Sequence, residues 1–239
     1  MRYSIFLMKI SKPFIRKVRS FVRREGRMTL TQSKAFETLM PRFGLFLTPE
    51  GVLDLNEVFQ RSNDKILEIG FGDGSSLLKM AKESPDKDFI GIEVYRTGVG
   101  NLLAAMEKEQ VFNIRIFCAD AMDVLKDKIP DNSMSTVQIF FADPWPKKRH
   151  HKRRLVQTEF VHLLAKKIKI DGLLHLATDW QDYAEQMMSV IEACSLFQNI
   201  AGAGQFTPRP DFRPLTKYEK RGLRLGHPTW DLMFRRVGL

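Results

Sequence analysis

Hydrophobic positions in this chain fall into short unbroken runs and into stripes at helical spacing. Lys65-Ile66-Leu67-Glu68-Ile69 is a mostly apolar run that predicts a buried strand. Gly70-Phe71-Gly72-Asp73-Gly74 follows, and Ser75-Ser76-Leu77-Leu78-Lys79-Met80-Ala81 then starts a helix. Asp88-Phe89-Ile90-Gly91-Ile92 predicts a second strand, with Glu93 at its C-terminal end. A helix comes next, with Val99, Leu102, Leu103 and Met106 on one face. Ile114-Arg115-Ile116-Phe117-Cys118 reads as a third strand, ending at Ala119-Asp120-Ala121. Val137-Gln138-Ile139-Phe140-Phe141 reads as a fourth, ending at Asp143, after which Pro144-Trp145-Pro146 lets neither helix nor strand continue regularly. A helix carrying Val156, Phe160, Leu163 and Leu164 follows, and Asp171-Gly172 reads as a turn. Leu173-Leu174-His175-Leu176-Ala177 is the fifth strand, ending at Thr178-Asp179-Trp180, and its leucine-flanked His175 reads as structural. Tyr183, Met187, Ile191 and Cys194 give another helix core spacing. Residues 198–215, rich in Gly, Pro and Arg, read as a long loop, and Trp230-Asp231-Leu232-Met233-Phe234 as a final strand. Strands that alternate with helices predict an open α/β sheet.

Length and composition suit one α/β domain with an appended arm: the chain has 239 residues, of which 44% are hydrophobic. The expected division is a basic arm over residues 1–40 and the main domain over 41–239. Phe14, Val18 and Phe21-Val22 would line one face of a helix in the arm. Pro41-Arg42-Phe43-Gly44 and Thr48-Pro49-Glu50-Gly51 read as loops before the domain. Net charge is +10, and it is concentrated. Residues 1–27 hold nine Lys/Arg against Glu25 alone, and Lys147-Lys148-Arg149-His150-His151-Lys152-Arg153-Arg154 holds six more with two His. These two patches exceed the whole surplus, so the rest of the chain is mildly acidic. Concentrated positive charge points to a nucleic-acid partner. Cys118 and Cys194 lie far apart without a CxxC spacing, so neither a disulfide framework nor a zinc site is expected, and a reducing compartment fits. No apolar run approaches the ~18 residues that span a membrane. Lys9 interrupts the short N-terminal apolar stretch, so a cytoplasmic location is expected.

The acids suggest the chemistry. Glu68, Glu93, Asp120 and Asp143 lie at or beside the C-terminal ends of four successive strands, the edge at which open α/β sheets bind ligands. One acid there is an ordinary helix cap or solvated turn; four beside a glycine turn suggest a site. Gly70 and Gly72 let a ligand press against bare backbone. Glu93 stands about 23 residues beyond Gly70, an offset at which a carboxylate can accept bonds from ribose hydroxyls. The turn is G-x-G-x-G, with Ser75 where the dinucleotide fingerprint G-x-G-x-x-G does not fit. Glu68 and Asp73 would repel a pyrophosphate and attract the sulfonium and ammonium of S-adenosylmethionine. That favours S-adenosylmethionine over NAD.

These segments resemble the tRNA (guanine-N7-)-methyltransferases of the bacterial TrmB type from about Arg19 onward. The resemblance is carried by Arg19 to Arg27, Leu67-Glu68-Ile69-Gly70-Phe71-Gly72, Ile92-Glu93-Val94, Asp143-Pro144-Trp145-Pro146-Lys147, His151-Lys152-Arg153-Arg154 and Thr216-Lys217-Tyr218-Glu219. Ala142 departs from the family, which usually has proline before the aspartate. The resemblance implies a Rossmann-like class I methyltransferase fold, with a mostly parallel twisted sheet and helices on both faces. It implies methyl transfer to N7 of guanine 46 in the tRNA variable loop. Glu68, Glu93, Asp120 and Asp143 would contact S-adenosylmethionine, with Asp143 also catalytic. Lys147, Asp179, Thr216, Lys217, Tyr218 and Glu219 would hold the guanine, and Arg149, His150, His151, Lys152, Arg153 and Arg154 would meet the RNA. No metal is expected, and the enzyme would be a monomer or homodimer. Trp145 would stack on the base or pack the loop. The alternative is a methyltransferase acting on another RNA base or an exocyclic amine; Trp145 in place of the second proline of an [N/D/S]-P-P-[Y/F/W] loop argues against the amine. An NAD oxidoreductase lacks a persuasive hydride-transfer site here, and a non-catalytic RNA-binding protein would be expected to lose the acids.

Overall fold

A computed structural model describes residues 19–21, 26–216, 219–220, 222, 226 and 228–238. The chain begins its regular structure with α1 (Leu30–Phe43), whose Thr29 and Gln32 exchange side-chain and backbone bonds in a capping box. Ala35, Leu39, Met40 and Phe43 form its buried stripe, and it packs against α4 (Arg96–Glu109). The expected loop at Pro41–Gly44 is therefore wrong over Pro41–Phe43, which end α1. Pro41 sits in the last turn, where the missing N–H interrupts little of the helix and the apolar stripe on α4 outweighs it. The expected boundary between residues 40 and 41 falls inside this helix. The helix suggested by Phe14, Val18 and Val22 lies outside the described residues.

Five strands are parallel: β2 (Lys65–Ile69), β3 (Asp88–Glu93), β4 (Ile114–Cys118), β5 (Met134–Phe140) and β6 (Ile168–Thr178), with the short edge strand β1 (Gly44–Leu45) parallel to β4. β8 (Trp230–Arg236) runs antiparallel to β6 and carries β7 (Phe197–Asn199) at the other edge. The sheet order is β1-β4-β3-β2-β5-β6-β8-β7. Side chains alternate across it into two cores. Leu67, Ile69, Ile90, Ile92, Val137 and Ile139 face one core with α2 (Leu55–Phe59), α5 (Ala121–Asp127), α6 (Thr158–Lys167) and α7 (Gln181–Glu192). Ile66, Phe89 and Phe140 face the other with α1, α3 (Ser75–Glu83) and α4. Helices on both faces of a mostly parallel sheet are the expected class I methyltransferase architecture.

Two strand details depart from expectation. Asp171-Gly172 is not a turn between elements but an irregularity inside β6, where pairing with β5 jumps from Met134↔Ile168 to Thr136↔Leu173 and Asp171 takes φ +65°. β5 stops at Phe140, because Phe141 adopts φ +54° while its N–H still bonds Ala177 O at 2.8 Å. Asp143 consequently lies in the following loop rather than at the strand end. The basic block forms a 3-10 turn, Lys148–Arg153, separated from α6 by Arg154–Gln157, so Val156 precedes that helix. From β2 the chain winds outward through β3 and β4, then returns to β5 on the other side. The C-terminal ends of β2 and β5 thus flank a topological switch point, where such sheets open a crevice. Among the described residues no helix is long and apolar enough to cross a membrane.

Candidate active site

A cavity of about 490 Å³ opens at this switch point. Glu68, Gly70, Gly72, Glu93, Asp143, Asp179 and Thr216, all expected at the site, line it together. Gly70 and Gly72 take φ +76° and +60°, and a Cβ added to either would meet no atom within 4 Å, so space beside the bare backbone is free.

The carboxylates differ in what already occupies them. Glu93 is buried, and its Oε2 accepts the Gly72 N–H at 2.9 Å while Oε1 accepts those of Val94 and Tyr95 at 2.7 and 3.0 Å. A carboxylate offers about four acceptor positions, so Oε2 keeps one. Burial pushes the Glu93 pKa up against those bonds, and the charge of Asp143 adds to the rise. Glu68 is only 2% exposed, and its Oε2 has no partner among the described residues. Burial, then the charges of Glu93 and Asp73, push it up to about 8. Asp143 still reaches solvent, and partial desolvation raises it too. Asp120 stands apart: its side chain accepts the Met122 N–H at 3.0 Å and caps α5, while its neighbours Ala119 and Ala121 line the cavity. The cavity therefore gathers five acids, Glu68, Asp73, Glu93, Asp143 and Asp179, and among the described residues no ion pair joins any of them to a cation of the chain.

The Asp143 loop is held from outside the cavity. Phe141 and Trp145 both lie in the left-handed region, at φ +54° and +45°, which costs on the order of 1–3 kcal/mol each in non-glycine residues. Arg154 holds this shape. It is buried, donating from Nε to Pro144 O at 2.8 Å, from Nη1 to Gln186 Oε1 at 2.6 Å, and from Nη2 to Asp182. Its donors thus serve protein acceptors, and its burial sets it apart from the exposed Arg149 and Lys152 and the half-buried His150, His151 and Arg153. Partial desolvation, then the cations around it, push the His150 pKa down. Lys147 is exposed and not on the cavity wall. Trp145 packs the loop: its Nε1 donates to Ser20 O at 3.0 Å and the Arg153 guanidinium covers its ring at 4.7 Å.

Thr216 and Glu219 are placed by a network that the sequence did not announce. Arg213 is fully buried and grips Glu219 through two bonds of 2.7 Å. It also binds both carboxylate oxygens of Asp231 on β8, at 2.7 and 2.9 Å, and Asp231 in turn meets His175 Nε2 at 2.8 Å. Burial works against the Arg213 charge, but its bonds to Glu219 and Asp231 hold the guanidinium above its ordinary value. Thr216 Oγ1 accepts the Glu219 N–H at 3.1 Å, so the Glu219 carboxylate anchors the segment while Thr216 faces the cavity. Lys217 and Tyr218 lie outside the described residues. One signal for the network was present, an acid at 231 within the otherwise apolar run Trp230–Phe234. Arg213 itself, in a loop rich in Gly, Pro and Arg, carried none.

A putative methyltransferase family model matches residues 62–232. The tRNA (guanine-N(7)-)-methyltransferase of Shewanella amazonensis is 53% identical over 224 residues, 94% of each chain. That of Alcanivorax borkumensis is 53% identical over 222 residues, 93% of this chain and 92% of its own. Among solved structures, the 16S rRNA methyltransferase KamB superposes with a TM-score of 0.58 at 13% identity, over 79% of this chain and 96% of its own. The aminoglycoside resistance methyltransferase NpmB1 does so with 0.54 at 16% identity, over 81% and 95%. These two share the fold.

Proposed function

The chain belongs to the tRNA (guanine-N(7)-)-methyltransferase family, and on that footing we propose that it transfers a methyl group from S-adenosylmethionine to N7 of guanine 46 in the tRNA variable loop. The observation that carries this reading is the acidic switch-point cavity, with the Glu68 Oε2 unpartnered among the described residues and a block of positive charge just outside. A cationic ligand answers that arrangement: it supplies the charge that the gathered carboxylates lack. The free space beside Gly70 and Gly72 suits a ligand lying against backbone.

When bound, S-adenosylmethionine supplies an electrophilic methyl group on a sulfonium. Glu68 and Glu93 would hold it, with the remaining acceptor position of Glu93 available to a ribose hydroxyl. Guanine N7 carries a free lone pair at neutral pH, so the site needs no strong base. The residues contribute position and charge instead. Asp179 accepts from guanine N1–H and N2–H₂, Thr216 offers a hydroxyl beside it, and Asp143 stabilises positive charge at the reacting centre. The target guanine must leave its tertiary contacts, at a cost of a few kcal/mol. Lys147, Arg149, His150, His151, Lys152 and Arg153 grip phosphates around it, and Arg154 shapes the loop that carries Asp143. Both cysteines are free thiols, in keeping with a cytoplasmic enzyme.

The test is methyl transfer to unmodified tRNA transcripts, followed by nucleoside mass spectrometry. We expect N7-methylguanosine, lost when guanine 46 is replaced. Another methylated nucleoside would overturn the target atom or base, and N7-methylguanosine that survives replacement would overturn the position.

A further inference from the structure

Aromatic rings on the cavity wall are unevenly occupied. Phe71 and Phe140 are buried, and the Arg213 guanidinium lies 5.8 Å from the Phe141 ring centre. Phe21 carries the Arg19 guanidinium at 5.7 Å. Tyr95 stands beyond β3 next to Glu93, on the side of the switch point where the cofactor acids lie. Trp145 is not on the wall at all. Trp180 differs from each of these. It lines the cavity, is 41% exposed, and has neither an aromatic ring nor a guanidinium on its indole among the described residues. Its backbone is nevertheless fixed. The Trp180 N–H donates to Thr178 Oγ1 at 3.2 Å, and its carbonyl accepts the N–H groups of Tyr183 and Ala184, each at 3.0 Å, at the start of α7. The indole is thus a large apolar surface held at the mouth by a rigid element, directly after Asp179.

We propose that Trp180 is the stacking surface for the target guanine, and so a specificity-determining residue of the reaction. This rests on the proposed methyl transfer to guanine N7. Asp179 reads the donor edge of the base, and the next side chain along covers its face. Base stacking on an aromatic ring alone favours any base, but here charge matters too. As the methyl group moves to N7 the purine becomes cationic, and an indole face attracts a cation more than a neutral ring. The contact therefore strengthens toward the transition state and product, which raises the rate rather than only the affinity. Trp180 also separates two tasks that one carboxylate cannot combine: Asp179 accepts hydrogen bonds in the base plane, and the ring stabilises charge above it.

The test compares wild type with W180F, W180L and W180A in methyl transfer to tRNA, alongside equilibrium binding of unmodified and N7-methylated tRNA followed by tryptophan fluorescence. Aromatic stacking is worth roughly a 10- to 100-fold effect per base. W180A is expected to lose about that factor in kcat/KM, with kcat falling. W180L, which keeps apolar bulk without the ring, should resemble W180A, while W180F recovers most of the activity. Wild type should bind methylated tRNA more tightly than unmodified tRNA, with quenching of fluorescence; both features should be lost in W180L and the quenching in W180F. Thermal melts and S-adenosylmethionine binding control for folding, and W180F and W180L keep the comparison if W180A does not fold. N7-methylguanosine from wild type with unchanged kcat/KM in W180L, or an unchanged ratio of the two tRNA affinities, overturns the stacking role alone. Absence of N7-methylguanosine from wild type overturns the proposed function and the stacking role with it.

Discussion

Among the described residues Glu68 of β2 keeps a carboxylate oxygen without a partner, so its charge depends on what enters the cavity. Its pKa of about 8, against an ordinary 4.5, means that the folded chain holds a proton that the unfolded chain has released between those values. The stabilising effect of that raised pKa is present below about 4.5 and is lost as pH rises toward 8. A bound cation favours the carboxylate and so expels the proton. S-adenosylmethionine should then bind more tightly as pH rises from 6 to 8, by at most tenfold per unit for one proton. Calorimetry in buffers of different ionisation enthalpy should detect the proton released. Glu68→Gln should bind more weakly and flatten the profile; a flat wild-type profile would remove Glu68 from the cation site. Asp143 plays the complementary part. On the proposed mechanism it acts at the reacting centre, so Asp143→Ala should lose about 10²–10³ in kcat, as for other groups that stabilise transition-state charge. Binding of tRNA should survive, measured by filter retention, and wild-type turnover would exclude the role. At this scale the sequence was informative for the acids, because strand ends expose their side chains at one edge. It was silent on which of them also bond within the chain, as Asp120 does in capping α5.

Elements carry the residues to the site, and here legibility divides by period. β2 and β4 were readable to the residue, because largely buried parallel strands are short, mostly apolar runs. The buried faces of α4 and α7 were readable from helical spacing. The loops were not, because their shape depends on partners far away in sequence. The Asp143 loop takes left-handed angles at Phe141 and Trp145 that only outside bonds maintain, and Arg154 supplies them from ten residues on. Arg213 does the same for the segment of Thr216 and Glu219, using Asp231 of β8 as its fixed point. Removing one partner from a buried ion network leaves the others charged and unpaired, at a cost of about 3–5 kcal/mol. Arg213→Ala should therefore lower stability by about that much in chemical denaturation, and should weaken tRNA turnover even where the protein remains folded. A change within a few tenths of a kcal/mol would show that the network does not hold the segment.

The basic turn Lys148–Arg153 is not part of the cavity wall, so the proposed grip on RNA and the proposed chemistry can be tested separately. Neutralising Arg149, Lys152 and Arg153 together should weaken tRNA binding and reduce the slope of log affinity against log salt by roughly 0.7 for each phosphate no longer bound. Arg154→Ala should instead lower the melting temperature and kcat, with little change in slope. Salt titrations of the two variants distinguish these outcomes, and equal slopes would merge Arg154 with the RNA-facing set. The sequence by itself determined the alternation of elements, the parallel sheet, the acids at its edge, the glycine turn and the two basic patches. Each follows from local periodicity, local spacing or simple charge, which need no knowledge of distant neighbours. Only the tertiary structure decided that Pro41 ends a helix on α4, that Arg154 and Glu219 face inward, that Trp145 packs while Trp180 stands open, and that Arg213 ties a loop to β8. Burial and hydrogen-bond partners belong to pairs of residues far apart in the chain, and folding alone brings them together.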